Sequence, residues 1–201
     1  TVSSPATMPQ HITREMMKGK SEYRTMKSLL IHGGHIIDPS QGIDEIGSLL
    51  ITEGKISWLG RGGVIPPQSD YDVLHAQGLI VCPGFVDLHC HLRQPGFEGK
   101  ETIATGTQAA ARGGFTTICC MPNTNPPLDN QATVDYVKST AATEGVVRVL
   151  PIGCISRGRK GQELAPMDEL ASAGVIGFSD DGEPASNSRL MRQALDYSRT
   201  S

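Results

Sequence analysis

The chain has 201 residues, 18 Lys plus Arg against 21 Asp plus Glu, and a formal net charge of -3. That length allows a core of ordinary size, so neither a disulfide staple nor a metal clip is needed merely to fold. The charge balance argues against a nucleic-acid surface built on bulk positive charge, and no stretch of 18 apolar residues offers a membrane span. Gly 23 and Pro 13 point to many tight turns. Five cysteines (Cys82, Cys90, Cys119, Cys120, Cys154) form no CxxC pair. With no secretory apolar region near the start, they read as reduced thiols of a cytoplasmic protein, each a small buried hydrophobe.

Residues 1–25 are polar and aperiodic and read as a disordered or spurious leader, with Met26 as the natural start. Residues 26–80 read as a small β segment. Leu29–Ile31 and His35–Ile37 flank Gly33-Gly34, and Ser48–Thr52 and Lys55–Leu59 flank Glu53-Gly54, a hairpin signal. From residue 81 the rhythm becomes strand–helix. Strand Phe85–His89 precedes helix Glu101–Arg112, and strand Phe115–Met121 precedes helix Gln131–Thr143 with Val134, Val137 and Ala141 inward. Strand Val147–Ile152 precedes helix Met167–Ala173, stopped by Gly174. Strand Val175–Phe178 precedes a helix from Arg189, capped by Ser188, with Leu190, Ala194 and Leu195 inward. Near-continuous apolar strands are those of a parallel sheet buried on both faces. A flavodoxin-like sheet and half of a (β/α)8 barrel both fit four βα units.

His89 and His91 end the first of these strands, and residues two apart on a strand point to one side. Two imidazoles there can bind one metal, at the strand end where such folds build their sites. His11, His32, His35 and His75 lie earlier and read as structural or solvent-facing. Asp180-Asp181-Gly182 follows the fourth strand, and a carboxylate there could complete a zinc site with the two histidines. Arg93 offers a rigid fork for a carboxylate, and Asn123, after the second strand, an amide donor and acceptor.

Pro83–Gly96 (PGFVDLHCHLRQPG) resembles the first-strand signature of dihydroorotases in the amidohydrolase superfamily. Gly114–Thr117, Met121–Pro127, Gly158–Gly161 and Phe178–Gly182 continue the resemblance in order, from about Met26 to the end. It implies an α/β chain: a small β-sandwich segment, then residues 81–201 as the N-terminal half of a (β/α)8 TIM-like metal-dependent hydrolase barrel, truncated after four βα units. It implies a zinc enzyme, with two Zn²⁺ per complete site, that interconverts N-carbamoyl-L-aspartate and L-dihydroorotate in pyrimidine synthesis. His89, His91 and Asp181 match metal-ligand positions, and His91, Arg93 and Asn123 match substrate-contacting ones. The general acid–base Asp is expected beyond Ser201, so the chain alone is expected to be inactive and to fold poorly. Partners implied are the small-molecule substrate and either a second copy or aspartate carbamoyltransferase, with no nucleic acid or membrane. Two rival readings are a non-catalytic scaffold, which loss of the metal ligands would signal, and another cyclic amidohydrolase such as an allantoinase. The latter bridges its metals through a carboxylated lysine, and no Lys follows Lys160.

Overall fold

The computed structural model describes residues 28–67 and 70–199. The leader and His11 lie outside the described residues. The chain divides into two compact units, with the boundary in sequence between Pro83 and Gly84.

The first unit is one five-stranded sheet. Strands β1 (Ser28–Asp38), β2 (Ile43–Thr52), β3 (Lys55–Arg61) and β4 (Tyr71–His75) lie in the order β3-β2-β1-β4, and β5 (Ile80–Val81) also pairs with β1. β2 and β3 form the expected hairpin. Glu53 and Gly54 have φ of 50° and 74°, the two left-handed residues of a tight two-residue turn. Gly33-Gly34 does not end a strand as the sequence suggests. β1 runs through it with a register shift between Ile31 and Gly34, because Gly33 takes φ +73° and its N–H finds the Ser48 hydroxyl at 3.1 Å. That hydroxyl also pairs with His32 Nδ1 at 3.0 Å, and His35 Nε2 pairs with Asp44 at 2.6 Å. Both histidines thus serve this sheet.

The second unit carries the βα series. Strands β6 (Phe85–Cys90), β7 (Phe115–Cys120) and β8 (Arg148–Pro151) pair in parallel in that order. Helix α1 (Ile103–Arg112) begins two residues later than expected because Thr102 is its cap, exchanging side-chain bonds with Thr105. α2 (Gln131–Glu144) is capped by Asn130. α3 (Met167–Ala173) ends at Gly174, whose φ of 96° is the left-handed stop that glycine favours. α4 (Ser188–Ser198) is capped by Asn187 rather than Ser188; the Asn187 Oδ1 accepts from the N–H groups of Arg189 and Leu190.

β7 sets the layers, since its successive side chains point to opposite faces. Ile118 and Cys120 enter a core with Leu92, Ile103, Leu128, Val134, Val137 and Leu170, while Cys119 and Met121 pack with Ile152 on the other face. Three sequence expectations need correction. The fourth strand is reduced to a single parallel bridge, Gly153 with Phe178, flanked by three backbone bonds; the Gly177 in its middle brings no side chain to pack. β6 is not buried on both faces. It is the edge strand, so Phe85, Val86 and Leu88 are exposed, Leu88 by 70%. Leu195 faces outward, whereas Leu190 and Ala194 are buried. Among the described residues, no helix is long and apolar enough to cross a membrane.

All five cysteines are free thiols. Cys119, Cys120 and Cys154 are buried and Cys90 partly so, but Cys82 is exposed, against the sequence reading, because it stands between β5 and Pro83 outside either core. Burial, with the Asp87 and Cys119 charges, pushes the Cys90 thiol up to about 12. Burial pushes Cys120 to about 12 as well, and raises Cys119 and Cys154. The thiolate is the reactive form. A thiol reagent at pH 8 is therefore expected to label Cys82 rapidly and the other four only as denaturant opens the fold. Peptide mapping of the fast-labelled protein checks this, and a second rapidly modified cysteine would contradict the packing described.

Candidate metal centre

Three loops at the C-terminal ends of the parallel strands build one cluster. His89 is on β6 and His91 immediately follows it, on the same side of the strand. Asp181 comes from the loop after Phe178. One ligand atom from each residue lies within 4.8 Å of the other two. His89 Nε2 is 3.1 Å and His91 Nε2 3.9 Å from the same carboxylate oxygen, Asp181 Oδ1. The two rings stand nearly perpendicular, with centroids 5.2 Å apart. His89 is the most open of the three side chains and Asp181 the most enclosed.

Asn123 comes from the loop after β7 and ties two members together. Its Nδ2 donates to Asp181 Oδ2 at 2.6 Å, and its Oδ1 lies 3.0 Å from His91 Nδ1. The logic of donors and acceptors fixes the imidazole. A carboxylate only accepts, so the amide nitrogen must face Asp181 and the amide oxygen His91. His91 Nδ1 then donates to the amide oxygen, and Nε2 faces Asp181 Oδ1. Asn123 is held because its loop is docked on the one after β6. Asn125 N–H bonds Pro95 O at 2.9 Å, and a side chain on Gly96, at φ +93°, would strike Asn125 O at 2.1 Å.

Asp180 and Asp181 are neighbours with opposite roles. Asp180 is buried, and its carboxylate turns away from the histidines. Oδ1 accepts from the N–H groups of Ile155 and Ser156 at 2.9 and 3.1 Å, and Oδ2 from the Ser156 hydroxyl at 2.5 Å. Asp181 takes a left-handed backbone, φ +53°, which swings its side chain to the histidines. Burial pushes its carboxyl upward, but the Gly182 N–H and the neighbouring His91, His89 and Arg159 outweigh that and hold it below the ordinary carboxylate range.

The sequence reading assigned no role to Arg159. Its Nε and one terminal nitrogen both donate to the Asp180 carbonyl, at 3.0 and 2.9 Å, and that terminal nitrogen is 3.9 Å from Asp181 Oδ2. The flanking Gly158 and Gly161, both at positive φ, are the signal for a specially shaped loop there. Arg93 follows His91 by two residues, half-buried, at φ +61°. Among the described residues no hydrogen bond or ion pair links its guanidinium to His89, His91 or Asp181. The Gln94 side chain pins this loop, accepting from Ile103 N–H at 2.9 Å and donating to the Tyr136 hydroxyl at 3.1 Å. A separate apolar concavity, lined in part by Met167, Phe178, Met191 and Leu195, is remote in character from this chemistry, with no ionisable group in its lining.

Comparison with known proteins gives a consistent picture. A family model described as dihydro-orotase-like matches residues 78–199. The dihydroorotase of Geobacter sp. (strain M21) is 52% identical over 172 residues, which are 86% of this chain and 40% of that protein. The dihydroorotase of Acetivibrio thermocellus is 50% identical over 170 residues, 85% of this chain and 39% of that one. The chain thus spans about 40% of the length of the curated relatives it matches. Among solved structures, the L-hydantoinase (dihydropyrimidinase) from Arthrobacter aurescens superposes with a TM-score of 0.72 at 20% identity, over 87% of this chain and 39% of that one. The D-hydantoinase (dihydropyrimidinase) from Thermus sp. gives 0.61 at 26% identity, over 83% and 37%. These neighbours settle the choice left open by the four βα units in favour of part of an amidohydrolase barrel, and the sequence relatives narrow it further: the chain belongs to the dihydroorotase-like family.

Proposed function

We propose that His89, His91 and Asp181 hold a zinc ion and that the protein interconverts N-carbamoyl-L-aspartate and L-dihydroorotate as a dihydroorotase. The observation that carries the reading is the approach of two imidazole Nε2 atoms to one carboxylate oxygen. Ligands of a tetrahedral zinc, with bonds of about 2.0–2.2 Å, lie about 3.3 Å apart. The separations of 3.1 and 3.9 Å bracket that value. The donor set, two imidazoles and a carboxylate, suits Zn²⁺. The orientation of His91 supports it too: an imidazole whose other nitrogen donates to an oxygen is the usual companion of a metal-ligating one.

When bound, zinc supplies Lewis acidity, lowering the pKa of a water toward about 7 and polarising a carbonyl. The chain's own residues hold and aim. Asn123 occupies His91 Nδ1 and so leaves Nε2 as the ring nitrogen turned toward Asp181. Asp181 adds a carboxylate that stays ionised well into acid. Arg93 offers a planar two-point fork for the carboxylate that both substrate and product carry. The resemblance implies a second zinc ion, which Asp181 could also help to hold. Oδ1 faces the histidines, and Oδ2, which accepts one bond from Asn123, keeps a second lone pair for a metal. Asn123 and His91 in substrate contact, a second copy or aspartate carbamoyltransferase as protein partner, and a cytoplasmic location belong to the same reading.

Two measurements test it. Zinc titration against a chromogenic chelator is expected to show tight binding by the chain, lost in Asp181→Ala and weakened about 10- to 100-fold in Asn123→Leu, the usual effect of removing a group that orients a ligand. Binding unchanged in Asp181→Ala would overturn the centre. In the active enzyme, Arg93→Lys is expected to lower kcat/KM for L-dihydroorotate about 10- to 100-fold, the worth of a charged hydrogen bond. Steady-state kinetics decide, and an unchanged value would remove Arg93 from substrate recognition.

A further inference from the structure

We propose that Arg159 and Ser179 are positioning residues that clamp the Asp180–Asp181 peptide from both ends and so aim the Asp181 carboxylate at His89 and His91. The clamp rests on the metal-site reading only for its consequence, zinc affinity; its geometry stands separately.

A peptide unit is planar, so fixing its carbonyl and its N–H fixes the rotation of the whole plane. Here both are fixed. The Asp180 carbonyl accepts from Arg159 Nε at 3.0 Å, from an Arg159 terminal nitrogen at 2.9 Å and from Glu183 N–H at 3.1 Å. The Asp181 N–H on the other edge donates to Ser179 Oγ at 2.9 Å. The clamp has work to do, because Asp181 sits at φ +53°, a region a residue with a side chain occupies only when its surroundings over-determine it. Released, the peptide would turn toward the ordinary α or β region and carry the carboxylate away from the imidazoles. Arg159 is itself delivered by unusual backbone: it stands at φ +59° beside Gly158 at φ +61°. The loop holding it is anchored independently, by Gly158 N–H on Asp129 Oδ2 at 2.7 Å and Gly161 N–H on Ser156 Oγ at 2.8 Å.

A plain charge effect predicts the opposite sign. The guanidinium lies 3.9 Å from Asp181 Oδ2 and would repel an arriving cation. Removing that charge alone should tighten zinc binding, whereas removing the clamp should weaken it. Lysine separates the two further, since it keeps the charge without the two-point fork.

The test takes the chain and its Arg159→Met, Arg159→Lys and Ser179→Ala variants, with circular dichroism to confirm that each is folded. In metal-free crystals of Arg159→Met, Asp181 is expected to leave the left-handed region and Oδ1 to move from His89 by more than about 0.5 Å, the tolerance of a working site. Zinc affinity is expected to fall about 10-fold or more in Arg159→Met and in Ser179→Ala, with Arg159→Lys resembling Arg159→Met. An unmoved Asp181 overturns the clamp, as does a rise in zinc affinity in Arg159→Met or a wild-type affinity in Arg159→Lys. If the unaltered chain binds no zinc, the metal reading fails, and the crystal comparison alone decides the clamp.

Discussion

The buried carboxylate of Asp180 is the tie on which the site depends. It gathers two backbone N–H groups and a hydroxyl from the loop after β8, and so holds that loop to the one after Phe178. An ionised acceptor in the interior is costly unless its lone pairs are used. Here three are, two of them by the buried Ser156. Arg159 adds two bonds to the Asp180 carbonyl, whereas the strand between the loops has shrunk to one bridge with three flanking backbone bonds. Where the sheet supplies little register, a side chain supplies it. Arg159, Ser179 and Asp181 all hang from that joint.

The same joint explains how two adjacent aspartates divide their labour. Chemically they are identical, and only environment separates them. One faces amide donors and becomes part of the scaffold. The other is rotated by a left-handed backbone into the company of imidazoles and a guanidinium, where its charge is favoured. Asn123 then relays order sideways, from a carboxylate that can only accept to an imidazole whose donating nitrogen it fixes. The cluster is a short chain of donors and acceptors with one consistent direction.

Much of this was legible in the sequence. The period of two on β6 put His89 and His91 on one side, and the strand ends placed Asn123 and Asp181 near them. The first helix start lies two residues beyond its expected place, after the Thr102 cap, and the last helix is capped one residue earlier than expected, at Asn187, because several neighbouring residues can cap and only the local backbone chooses. The apolar run Val175–Phe178 looked like a full strand, yet pattern alone does not reveal that Gly177 leaves so little to pair and pack. Leu195 matched a helical stripe whose edge lies in solvent. Nothing local distinguished Asp180 from Asp181; the resemblance did. Arg159 was invisible for a plainer reason: its partner is a main-chain carbonyl 21 residues away, and a carbonyl leaves no mark on a sequence.

Among the described residues, four without the freedom of glycine occupy the left-handed backbone region: Glu53, Arg93, Arg159 and Asp181. The first makes a hairpin turn. The other three stand on the loops around the histidine pair. Glycine would suit the main chain better at each of the three and would erase two guanidinium groups and the carboxylate that faces the histidines. The strand-end loops are therefore tuned against their own backbone preference, and a search for hardier variants that followed conformational comfort alone would arrive at a steadier barrel end whose histidine pair had lost its carboxylate.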